Sequence, residues 1–197
     1  GKITRRKRHY YLQNINQKYN TGIEFIGSNN DNNFNMNLGD FKGEWSKDKL
    51  YTNLTKYANL VLLSEGEADP LVVKEALVSG LGVVVSESSS AYLDRTKDFI
   101  NVIKNSDIKD ENIINNIIKR NREYSIINRK EIREYGIENF SYQKIVEPYN
   151  NFLKSILPNN FELQTENTIT DTNTNTITNT NTITNTNTIT NTNTITN

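Results

Sequence analysis

Hydrophobic positions in this chain occur in two kinds of run. Residues 58–63 and 83–86 are short, aliphatic and without alternation apart from Asn59, the pattern of parallel strands covered on both faces. Between them, residues 70–79 read as one short apolar helix. Asp69 is placed to cap its N-terminus, Pro70 to take its first position and Gly80 to close its last turn in a left-handed conformation. Strand, helix and strand in that order make a βαβ unit, so an α/β fold built on a doubly wound parallel sheet is expected.

The alternation extends both ways. Residues 22–27 and 41–45 predict further short strands, and residues 29–40, rich in Asn, a surface loop. An amphipathic helix is expected over residues 8–18, and Leu50, Leu54 and Tyr57 set helical spacing across residues 47–57. Downstream, residues 99–103 predict a last strand and residues 110–135 and 141–156 helices on the sheet, with Pro158 ending the body.

Composition then divides the chain. Residues 158–197 hold no Lys or Arg, and from Thr172 onward only Thr, Asn and Ile occur, with Ile177, Ile183, Ile189 and Ile195 six apart. So little apolar surface cannot offset ordering entropy, so residues 158–197 are expected to be a disordered Thr/Asn/Ile repeat tail, a stacked β assembly being the alternative. Residues 1–157 are the expected folded domain. All 23 basic residues lie there against 20 acidic ones, so the body carries about +3 while the whole chain sums to zero. That balance speaks against a dedicated nucleic-acid binder, although an RNA contact through residues 2–9 is a competing reading.

The absence of cysteine excludes disulfides, zinc fingers, thiol nucleophiles and iron–sulfur clusters, and a single histidine, His9, cannot build a multi-histidine metal site. His9 is expected on a helix surface, and Trp45 to fill core rather than stack on a base. No apolar run approaches 18 residues, so no membrane-spanning helix is expected. The opening at Gly1, which resembles no leader, points to a fragment whose first strand lies upstream, with a cytoplasmic location.

Two groups of side chains could carry chemistry. Glu67 falls in the loop at the carboxyl end of a strand, where open α/β sheets bind ligands, and Glu75 lies eight residues on, inside an otherwise apolar helix where an unpaired carboxylate is costly. An exposed loop acid and a solvated helix edge would explain them equally. Residues 1–9 form a glycine-led basic loop ahead of a helix, in which Lys2 and Lys7 could meet a diphosphate; a merely solvated basic run is the alternative.

Together these segments resemble the nucleotide-sugar-binding half of retaining GT-B glycosyltransferases, family 4 or group 1. That half opens with Gly-Arg-Leu-x-x-x-Lys-Gly, and Gly1, Lys2, Ile3, Lys7 and Arg8 stand in its register. Its central signature, Ser-x-x-Glu-Gly-Phe-Gly-Leu-Val-x-x-Glu-Ala-Met-x-x-Gly-x-Pro-Val-Val, is matched by Ser64, Glu67, Leu71, Val72, Glu75, Ala76, Gly80, Val83 and Val84. Ala68, Asp69 and Gly82 depart from it, and residues 138–149 resemble the family's terminal Phe-Ser-Trp helix.

The resemblance implies a Rossmann-like domain, the C-terminal half of a GT-B fold, that binds a nucleoside-diphosphate sugar as substrate, with no cofactor and no metal. It implies Glu67 and Lys7 as catalytic, Lys2, Lys7 and the backbone at Asp69, Pro70 and Leu71 on the donor diphosphate, and Glu75 on the ribose. An N-terminal acceptor domain would be the partner, upstream or on another chain, and the acceptor a glycan, lipid or protein. Serines in the turn at residues 87–91, where the family has glycines, would narrow the space around the sugar. The alternative function is a non-catalytic nucleotide- or glycan-binding module tethered by the tail.

Overall fold

The computed structural model describes residues 1–156 together with segments 162–166, 177–184 and 189–195. The chain divides into two compact units, residues 1–141 and 142–197.

The first unit is built on strands β1 (Asn59–Leu62), β2 (Gly82–Ser86) and β3 (Ile100–Ile103), all parallel and in the order β1-β2-β3. Helices α1 (His9–Tyr19), α2 (Lys47–Leu54), α3 (Leu71–Val78), α4 (Glu111–Ile127) and α5 (Arg129–Phe140) cover both of its faces. In β2, Val83 and Val85 join a core with Leu62 and Ile100 beneath α2, α3 and α5, represented by Leu54, Leu77 and Ile132. Val84 points to the opposite core, with Leu63 and Ile103 against Leu12 and Ile15 of α1 and Ile114 and Ile118 of α4. A strand buried on both faces has no polar side to display, which is why residues 83–85 show no alternation. Each of these fully buried valines contributes roughly 1.5–3 kcal/mol of burial free energy.

At the amino ends of the strands, an amide network ties α4 to the sheet. Asn121 of α4 donates to the carbonyls of Phe99 at 3.1 Å and Val83 at 3.4 Å and to Asn101 Oδ1 at 3.0 Å, and accepts from Asn59 Nδ2 at 3.1 Å. This close approach requires Gly82, because a Cβ there would collide with Ser125 Oγ.

Several expectations are corrected. Residues 22–27 and 41–45 make no strand but an isolated parallel bridge, Phe25 to Phe41, while Ile3 bridges Asn29. Gly22, Gly27 and Gly43 all have positive φ, so the extended backbone stops on either side of the bridge. The expected helix over residues 110–135 is broken at Asn128, whose side-chain amide donates to the Tyr124 carbonyl at 2.9 Å and ends α4. Asp69 does not cap α3: Pro70 is the cap residue, and the Asp69 carboxylate accepts from Lys74 Nζ at 2.6 Å. Gly80 does take the left-handed conformation, with φ 78°.

The second unit begins with α6 (Tyr142–Ile156), which has no buried residue. Strands β4 (Glu162–Glu166), β5 (Ile177–Thr184) and β6 (Ile189–Ile195) follow as an antiparallel sheet in that order, with Ile183 opposite Ile189. Disorder was the expectation for residues 158–197. The segments described there are extended, and in residues 177–184 and 189–195 β-branched Thr at every second position favours this; the rest of that stretch, with Pro158, lies outside the described residues.

Candidate functional site

The basic opening of the chain is fastened to the loop that leaves β1. Residues 5–7 form one 3₁₀ turn, and Arg8 then adopts a left-handed backbone, φ 54° and ψ 31°, before α1 begins. Its guanidinium donates to the Leu63 carbonyl at 2.7 Å and lies 3.6 Å from Glu65. Arg6 donates to the Gly66 carbonyl, and the Glu65 amide donates to the Arg6 carbonyl at 2.9 Å. These links place Lys7 Nζ 3.8 Å from Glu67 Oε1, both side chains part-buried. Gly1 reaches the same place: a Cβ on it would lie 3.6 Å from Lys7 Nζ, and a Cβ on Gly27 would overlap the Gly1 carbonyl.

The turn after β2 buttresses this loop. Ser86 and Ser88 hydroxyls both donate to the Ser64 carbonyl at 2.6 Å, and the Glu67 amide donates to the Ser88 carbonyl at 3.2 Å. Ser86, Ser89 and Ser90 are buried. Their hydroxyls are taken up by bonds within the turn and to the loop after β1, so these three serines brace the protein itself rather than standing out toward a ligand.

Of the residues singled out from sequence, Lys7 and Glu67 are brought together. Glu75, half-buried on α3, accepts a hydrogen bond at Oε1 from the Tyr51 hydroxyl of α2 at 3.3 Å. Lys2 is exposed and forms no ion pair among the described residues. Asp69 is engaged by Lys74. Pro70 has no N–H to offer an anion, so of the three backbone positions expected on the diphosphate Asp69 and Leu71 carry a donor; α3 has no side-chain cap. Among the described residues no group of three His, Asp or Glu side chains could hold a metal ion, and no helix is long and apolar enough to cross a membrane.

Two expectations fail. His9 is half-buried rather than on the helix surface, edge-on to Phe25 with ring centroids 6.2 Å apart. Its Nδ1 has no hydrogen-bond partner, and desolvation, aided by the Lys7 charge, lowers its pKa to about 4, so it is neutral at pH 7. Trp45 belongs to neither core. It tilts against Tyr57 at 6.4 Å, with Lys49 Nζ 5.0 Å from its ring, and donates from Nε1 to the Lys42 carbonyl at 3.3 Å.

The sequence reading missed Arg6, Ser86 and Tyr51, and named Arg8 and Ser88 without the contacts they make. No local pattern marks them, because each acts on a partner more than 20 residues away.

No protein-family model matches the chain, and no curated protein matches it. Solved structures do. TarM is similar with a TM-score of 0.54 and 18% identity, over 77% of this chain and 33% of that one. WaaG, a glycosyltransferase involved in lipopolysaccharide biosynthesis, gives 0.52 and 11%, over 76% and 45%. The GtfA/B complex gives 0.55 and 15%, over 79% and 34%. The chain thus spans between a third and a half of the length of these proteins. Such identities speak to architecture, and with the parallel sheet wound on both faces they establish that the chain has the Rossmann-like half of the GT-B glycosyltransferase fold.

Proposed function

We propose that this chain is the donor-binding half of a retaining glycosyltransferase that moves a sugar from a nucleoside diphosphate to a hydroxyl acceptor. The observation that carries the reading is the approach of Lys7 Nζ to Glu67 Oε1, 3.8 Å, in the loop at the carboxyl end of β1. Open α/β sheets bind ligands at that end.

In this reading Lys7, with exposed Lys2, holds the donor diphosphate, and the backbone N–H groups of Asp69 and Leu71 assist. Glu67 accepts hydrogen bonds from the sugar hydroxyls, and Glu75 from the ribose. When the bond between the anomeric carbon and the diphosphate oxygen breaks, its electron pair stays on the diphosphate, where the Lys7 ammonium stabilises it. The acceptor oxygen bonds to the same face of the sugar, and its proton leaves with the diphosphate. The residues named need no metal for these roles. The acceptor would be supplied by a second α/β domain, on this protein or a partner chain.

Calorimetry with UDP and GDP tests the reading. Binding of one of them to the wild-type chain, and its loss in Glu75→Ala, is the expected result. Absence of binding by the wild type, or unchanged affinity in the variant, overturns it.

A further inference from the structure

We propose that Tyr51 is a positioning residue for nucleoside recognition, holding Glu75 so that its second carboxylate oxygen faces a ribose cis-diol. The inference rests on the donor-binding reading above and adds a residue to it.

Tyr51 lies on α2 immediately after Leu50, which packs against the core, so its ring falls at the helix edge and remains 53% exposed. Its hydroxyl reaches across to α3 and donates to Glu75 Oε1 at 3.3 Å. Among the described residues nothing donates to Glu75 Oε2. A carboxylate has about four acceptor positions, and a free one samples several rotamers; a donor on one oxygen selects a rotamer and leaves the other oxygen for two vicinal hydroxyls. The phenol is suited to this task because the Glu75 charge, followed by desolvation, raises its pKa and keeps it a donor through the neutral and mildly alkaline range. Tyr51 also has little packing to lose, so replacing its hydroxyl tests the hydrogen bond rather than the fold.

The experiment compares wild type, Tyr51→Phe, Glu75→Gln and the double variant, by calorimetry with the preferred nucleoside diphosphate and by competition with its 2′,3′-dideoxy analogue. Tyr51→Phe is expected to weaken the ribonucleotide about three- to tenfold and leave the dideoxy analogue unchanged, with no further loss when Glu75 is already Gln. Equal weakening of both nucleotides would mean that Tyr51 merely joins α2 to α3, and would overturn the proposal. So would wild-type ribonucleotide affinity in Tyr51→Phe beside a clear loss in Glu75→Gln, an outcome that leaves the donor-binding reading standing. A wild-type chain that binds neither UDP nor GDP removes that reading and this inference together.

Discussion

The Arg8 guanidinium donates to the Leu63 carbonyl at 2.7 Å from a residue whose own backbone is left-handed. A non-glycine residue in that region costs about 1–2 kcal/mol, which this charge-assisted bond and the nearby Glu65 carboxylate offset. Arg8→Ala keeps the strained backbone and loses the bonds, so urea unfolding is expected to show a loss of about 2–4 kcal/mol. Arg8→Gly loses the bonds but relieves the strain, and should recover about 1 kcal/mol of that loss. Equal midpoints for the two variants would show that the backbone conformation carries no cost.

Lys7 is the cation closest to Glu67, whereas Arg5, two residues earlier, is exposed. Lys7→Ala is therefore expected to lower nucleoside diphosphate affinity about tenfold, with a smaller effect on the bare nucleoside, while Arg5→Ala stays within about twofold of wild type. Calorimetry with the diphosphate and the nucleoside separates the two.

His9 gives stability a defined pH dependence. Its folded pKa, about 4, lies below the ordinary 6.5, chiefly because burial disfavours the imidazolium. The unfolded chain therefore binds the extra proton first as pH falls, and stability declines from pH 6.5 to 4, by on the order of 3 kcal/mol at the lower limit. Above pH 6.5 this contribution is fully present. His9→Gln should flatten the curve in that window. A wild-type unfolding midpoint that does not change between pH 7 and 4.5 would contradict the neutral, buried imidazole.

Asn121 ties α4 to the sheet where Gly82 leaves room for it. Asn121→Ala removes the donor to Asn101 Oδ1 and one of two bonds at the Phe99 carbonyl and at Asn59 Nδ2, which keep the Val83 amide and the Ile118 carbonyl as partners, and should cost about 1–3 kcal/mol. Gly82→Ala drives a methyl group into Ser125 Oγ and should cost about 1–3 kcal/mol, part of which Ser125→Ala restores. A purely additive double variant would place the strain elsewhere.

Parts of this structure could be read directly because their cause is local. The apolar runs ending at Leu63 and Val85 carry their strand character in their own side chains, and Gly80 marks the end of α3 by its left-handed backbone. Glu67 in the loop after β1 and Glu75 inside α3 fall where the local pattern put them for the same reason. Residues 22–27 misled because their apolar pattern suits a strand while flanking glycines confine pairing to one bridge. His9 misled because its surroundings come from Phe25, which only the folded chain brings beside it. The tie between Tyr51 and Glu75, like that from Ser88 to Ser64, depends on helix and loop placement that no window of neighbouring residues encodes.

The amide network at Asn121 lies where the strands begin, whereas Lys7 and Glu67 lie where they end. In the proposed donor-binding role, anchorage and recognition fall at opposite poles of one short sheet. The polar joint that holds α4 to the sheet therefore shares no residue with the proposed site, so substitutions at Lys7 or Glu67 leave Asn59, Gly82 and Asn121 untouched.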